Sequence, residues 1–231
     1  REEPVNNTMN EVLPGVLYAQ LLYLGGGVFL LTAVLVLWRR ELAAVIRLMA
    51  AQGMVLAGLV ALLGIHRASP GLVAGAVLIF GLRGLVLPHL MRRVLATSGT
   101  PRENGSVVNV AASLVAAAAL VLIAYAVSQP LVALAPSAET QAVPVAVTVV
   151  LLGFFVLVTR RHALSQVVGL LMLDNGIAMT AFLTAQEMPM LVELGVSLDL
   201  LLIVVVLHVL VGRMRRLTGS TDLGELRELR G

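Results

Sequence analysis

Long apolar stretches divide the chain into seven segments, each near the roughly 20 residues a helix needs to cross the hydrocarbon of a bilayer. They run from about Leu17 to Trp38, Ala43 to Gly64, about Leu72 to Leu90, Val107 to Val127, Val143 to Val158, Ser165 to Thr184 and Leu191 to Val211. The fifth is a little short. None shows the period-two alternation of barrel strands, so the pattern predicts α-helices. The expected fold class is therefore all-α: a polytopic membrane protein of about seven transmembrane helices. Residues 1–14 are expected as an N-terminal tail and 15–127 as a four-span half. Residues 128–142, with Pro130 and Pro136, are expected as an external loop, 143–217 as a three-span half, and 218–231 as a polar tail.

The basic residues sort by side. Arg39 and Arg40 follow the first span, Arg92, Arg93 and Arg102 the third, Arg160 and Arg161 the fifth, and Arg213, Arg215 and Arg216 the seventh. The opposite side holds only Arg1 and Arg67. Cytoplasmic loops carry the excess of Arg, so the N-terminus is expected outside, the C-terminus in the cytoplasm, and the chain in the cell inner (plasma) membrane. The segment before the first span is acidic (Glu2, Glu3, Glu11). A cleavable signal peptide is basic there, so a retained span is expected.

Composition sharpens the class. Of 231 residues 59% are hydrophobic and 13% charged, with a mean hydropathy of +0.98. Soluble domains are nearer one quarter charged, so there is too little polar surface to cover a water-soluble globule. Cys is absent, which excludes disulfides, thiolate metal sites and iron–sulfur ligation by this chain. Every one of the 16 basic residues is Arg, which excludes a Schiff-base lysine. Four scattered His with no His-x-x-x-His spacing make neither a metal site nor a bound cofactor an expectation. The pI of about 10.2 does not imply nucleic acid, because the net charge of +3 lies in doublets at apolar boundaries. The expected partner is the lipid bilayer.

Against this background a few polar residues stand out. Arg83, Asp174 and Asp199 fall near the middles of their spans. Each such group costs about 2.5–3.5 kcal/mol on insertion scales when it faces lipid. They are expected to face protein or water, and each other. The bland reading is an Arg–Asp pair that holds helices together, and the sharper one is a proton or ion relay. Desolvation and a guanidinium neighbour act in opposite senses on a carboxyl, and their balance is what lets a buried acid gain and lose a proton. His208, toward the cytoplasmic end of the seventh span, and Glu193, near its outer end, are candidates to extend the route. Gln52 and Asn175 are candidates for hydrogen bonds between helices, as is Arg47, which can also snorkel to the cytoplasmic surface. Gly81 and Gly84 flank Arg83 and permit close contact or local unwinding, and Pro88 is placed to kink the third span. The two halves share a weak repeat: Leu48-Met49-Ala50-Ala51-Gln52-Gly53 follows Arg39-Arg40, and Leu171-Met172-Leu173-Asp174-Asn175-Gly176 follows Arg160-Arg161.

The stretch from Thr159-Arg160-Arg161 through Gln166-Val167-Val168-Gly169 to Asp174-Asn175-Gly176 resembles the Arg-Arg turn and second helix of the small K subunit of bacterial complex I. It also resembles the matching C subunit of multisubunit Na+/H+ antiporters. Asp199 falls where the third helix of that subunit carries a buried Glu. Over roughly residues 15–217 the chain resembles the hydrogenase-4 component E family, the membrane subunits of formate hydrogenlyase-type (group 4 hydrogenase) complexes. There Leu82-Arg83-Gly84-Leu85-Val86-Leu87-Pro88 is similar to a basic–apolar–Pro segment whose base is usually Lys, and Asp174-Asn175-Gly176 to Glu-Asn-Gly. The resemblance implies a non-catalytic subunit that contributes to proton or cation translocation through Asp174 and Asp199, tuned by Arg83. It implies antiporter-like and redox-arm-docking subunits as partners, with any metal centres held by them. The chain departs from the pattern at three points. Leu171 stands where K-type subunits have Glu, with Asp174 one helical turn on and on nearly the same face. Asp replaces Glu at both acidic sites, and Arg, which cannot usefully deprotonate, replaces Lys. A purely structural scaffold subunit and an independent small membrane transporter or receptor are the competing readings.

Overall fold

The structure is a computed structural model that describes residues 3–98, 109–161, 163–184 and Gly212. The described chain is helical throughout: α1 (Glu3–Trp38), α2 (Leu42–His66), α3 (Pro70–Ile79), a π-helical segment π1 (Phe80–Val86), α4 (Leu87–Ser98), α5 (Val110–Leu134), α6 (Ala138–Thr159) and α7 (Ala163–Thr184). The segments α3, π1 and α4 run on as one membrane-length unit. Among the described residues, six helices are thus long and apolar enough to cross a membrane, and the chain is a polytopic helical membrane protein. The seventh expected span, 191–211, lies outside the described residues, as do Glu193, Asp199 and His208.

Helix α2 is central and touches α1, α3, π1, α4 and α7, while α6 packs along α7, α5 and α1. Lipid tails are as apolar as leucine, so burial from water does not drive these contacts and close packing must. Helix α5 shows the consequence. It turns small residues inward (Ser113, Ala117, Ala124, Ser128) and leaves Val115, Leu122 and Val127 exposed. Among α6 and α7, glycine does the same. A Cβ at Gly153 would lie 2.4 Å from Leu173 N, and one at Gly176 would lie 2.6 Å from Val150 N.

The expected loop over 128–142 is largely helix. Helix α5 continues through Pro130 to Leu134, and α6 starts at Ala138, leaving a short turn. Ser137 sets that start: its hydroxyl accepts from Thr140 N at 3.2 Å, and Thr140 Oγ1 accepts from Ser137 N at 2.9 Å. This reciprocal capping box satisfies donors that would otherwise be orphaned, and it lengthens α6 beyond the span expected from Val143.

The turn between α2 and α3 is a Schellman closure. Ser69 N donates to Gly64 O at 2.9 Å and Ala68 N to Ile65 O at 3.2 Å. The geometry needs a left-handed residue at Ala68, whose φ is +48°. Left-handed backbone costs a residue with a Cβ roughly 1–2 kcal/mol, and glycine forfeits part of that relief in unfolded-chain entropy. Ala68→Gly is therefore expected to stabilise the protein by about 0.5–1 kcal/mol. Thermal unfolding in mild detergent measures it, and an unchanged or lowered midpoint would contradict the strain.

Candidate functional site

Position dictates the chemistry of Arg83. It lies in π1 and is 2% exposed, so its charge must be met inside the protein. Pro88 explains why a π turn forms there. A proline lacks an N–H and its ring collides with the carbonyl four residues back, here Gly84. Widening the turn relieves the collision, and Leu87 N–H accordingly reaches back five residues to Leu82 O. The widened turn, rather than a simple kink, presents Arg83 to the bundle interior. π-Bulges recur at functional sites.

Glycine brings the partner helices close. A Cβ at Gly53 would sit 2.9 Å from Arg83 Cβ and 3.2 Å from Arg83 O, so only glycine lets α2 lie against π1 here. Arg83 then forks. Nη2 donates to Asp174 Oδ2 in a salt bridge, and Nη1 donates to Asn175 Oδ1. A guanidinium only donates, so the Asn175 oxygen must face it and the Asn175 amide must donate onward. It does, to Gln52 Oε1 at 3.1 Å. Gln52 Nε2 in turn lies 3.5 Å from Phe29 O, at the long limit of a hydrogen bond. Thr32 donates to the same carbonyl at 2.7 Å. One polar chain therefore ties α7, π1, α2 and α1 together. At about 1.5 Å of rise per residue, Gln52 and Asn175 each lie roughly 15–18 Å along their helices, near mid-membrane.

The chain has two chemically different ends. Gln52 and Asn175 are amides, 1% and 2% exposed, and do not titrate. The Asp174 side chain is 18% exposed against 3% for that of Arg83. Of the pair, the acid is the less enclosed member.

The structure thus joins Arg83, Asp174, Asn175 and Gln52. It does not add Arg47, which is exposed and makes no hydrogen bond with a described residue. A position nearer the basic end carries its side chain away from the helix contact. The two repeated segments meet at equivalent places, Gln52 against Asn175, which is how one polar residue per half can satisfy the other. Among the described residues no three His, Asp or Glu side chains converge to hold a metal.

Two polar features had no signal in the sequence. At the end of the bundle remote from the Arg doublets, Tyr18 donates to Glu139 Oε1 at 2.7 Å, and both are buried. The His66 ring stacks on Tyr18 at 3.7 Å, and Arg67 Nη1 donates to Phe182 O at 3.4 Å. At the basic end, Arg160 is buried and its Nη2 donates to Val36, Leu37 and Arg39 carbonyls at 3.3, 3.0 and 3.3 Å. It caps the C-terminus of α1, whose last carbonyls have no partner in their own helix. Arg161 beside it is exposed. A doublet that marks topology in sequence therefore divides its labour.

No protein-family model and no solved structure matches the chain. It is 47% identical over 214 residues to the uncharacterised protein Rv0085 of Mycobacterium tuberculosis, covering 92% of this chain and 97% of that one. It is 32% identical over 115 residues to hydrogenase-4 component E of Escherichia coli and of Shigella flexneri. That match covers 50% of this chain and 53% of theirs, so it spans about half the length of those relatives. With the match to Rv0085 running along nearly all of both sequences, the chain belongs to the same family of helical membrane proteins as Rv0085 and is a distant homologue of hydrogenase-4 component E.

Proposed function

We propose that the chain is a membrane subunit of a complex I-like or group 4 hydrogenase-like respiratory assembly in the inner membrane, with seven spans and its Arg-rich ends in the cytoplasm. Antiporter-like subunits and the subunits that dock the redox arm are its partners, and they hold any redox centres. Within it Asp174 takes up and gives up a proton. Arg83 fixes the local field. Asp199, Glu193 and His208 of the seventh span carry the route onward. The observation that carries this reading is the Arg83–Asp174 pair near mid-membrane, with the base locked and the acid partly accessible. The distant kinship with hydrogenase-4 component E supplies the kind of host complex.

A relay group must be able to lose its proton, which an amide cannot. In the intact complex, coupled proton movement per assembled complex is therefore expected to fall by at least tenfold in Asp174→Asn and in Asp199→Asn. Proton uptake by inverted membrane vesicles, together with subunit yield, measures it. The Gln52–Asn175 brace favours a second reading, in which the charges only hold helices together. Unchanged proton movement in both variants would establish that scaffold role and end the relay.

A further inference from the structure

A groove of about 850 Å3 opens between α2 and the π1–α4 segment, and neither Arg83 nor Asp174 lines it. Its walls are largely apolar, with Met54, Leu85 and Leu90 among them, and three basic side chains share the lining: Arg47, His89 and Arg92. All three are exposed. Neither Arg47 nor Arg92 meets an acid among the described residues. Two guanidiniums at the edge of the hydrocarbon are costly unless something anionic or aqueous receives them. Nothing in the Arg83 site uses them.

We propose that this groove binds one anionic phospholipid of the cytoplasmic leaflet. The phosphodiester lies between Arg47 and Arg92, with His89 as a further donor, and an acyl chain lies along Met54 and Leu85. The chemistry matches on both counts. Guanidinium presents paired N–H groups that fit phosphate oxygens, and basic pockets between helices on the cytoplasmic side suit anionic headgroups. The apolar wall suits an acyl chain and not a free anion. The depth also fits, because Arg47 and Arg92 lie near the ends of α2 and α4 that neighbour the Arg doublets. The inference rests on the basic end facing the cytoplasm and is independent of any proton transfer at Asp174.

The test uses the full chain, purified in non-ionic detergent and stripped of lipid. Phosphatidylglycerol is titrated in while the thermal unfolding midpoint and retained lipid by native mass spectrometry are read. The wild type is expected to bind one phosphatidylglycerol and rise in midpoint, with phosphatidylcholine giving little. The double variant Arg47→Gln/Arg92→Gln, which changes only exposed positions, should need roughly 25-fold more lipid, about fivefold for each guanidinium. The charge-matched control Arg40→Gln/Arg161→Gln should behave as wild type. Equal response of the Arg47/Arg92 variant, equal loss in the control, an equal effect of phosphatidylcholine, or the full shift with inorganic phosphate alone would each overturn the site.

Discussion

Replacing Arg83 with Leu is expected to destabilise the protein by about 3–5 kcal/mol, the usual consequence of removing one member of a buried ion pair. The loss is not chiefly that of an attraction. It is the charge on Asp174 and the inward oxygen of Asn175 left without the donor that faces both. Arg83→Lys should lie between. A single ammonium cannot present the two-pronged fork, so one charge-assisted bond is lost, at about 1.5–3 kcal/mol. Adding Asp174→Leu to Arg83→Leu should restore most of the stability, because well-packed apolar groups often replace a buried pair with little cost. Recovery stays incomplete while Asn175 Oδ1 lacks its donor. The loss of folded protein against temperature, for wild type, both single variants and the double, gives the coupling directly. An Arg83→Leu protein as stable as the parent would remove the pair from its place at the centre of the bundle.

The α6–α7 contact is the second place where a small change should have a large effect. Gly153→Val places a branched side chain where a single Cβ would already lie 2.4 Å from Leu173 N and 2.7 Å from Leu173 Cα. Backbone cannot rotate out of the way as a side-chain tip can, so α6 and α7 must separate. Overpacking commonly costs about 1–3 kcal/mol, and the rigid neighbour puts this case at or above the top of that range. The effect reaches the site, because Leu173 adjoins Asp174. Gly58 provides the contrast, since a Cβ there meets nothing within 4 Å. Gly58→Ala should be neutral or stabilising by up to about 1 kcal/mol, the helix-interior preference for alanine. Unfolding midpoints for the two variants decide the matter. Equal behaviour would show that the close helix contact does not control stability.

Much of this molecule is legible without coordinates, and the reason differs by residue. Arg83 and Asp174 announce themselves because an ionised group in an apolar run is costly wherever the helix points, so a partner must exist. Gln52 and Asn175 stand out in the same way, more weakly. Arg47 reads like them but lies along a groove, since a residue close to a helix end has water within reach and needs no protein partner. Tyr18 and Glu139 gave no such warning. At the edges of the apolar stretches both look solvated, and 121 residues separate them in the chain.

Length and polarity are properties of a segment alone, and the bilayer selects on them directly. So helix, approximate span and the need for a buried counter-charge were settled by the order of residues. Which helix faces which is a property of pairs. It depended on where glycines admit a neighbouring backbone, on the π turn that Pro88 forces and on the one-way donor pattern running from Arg83. Those contacts join residues far apart along the chain, and only the packed bundle determined that Arg83 would meet Asp174 and Asn175 together, that Arg160 would cap α1 while Arg161 stayed outside, and that Arg47 and Arg92 would share a groove.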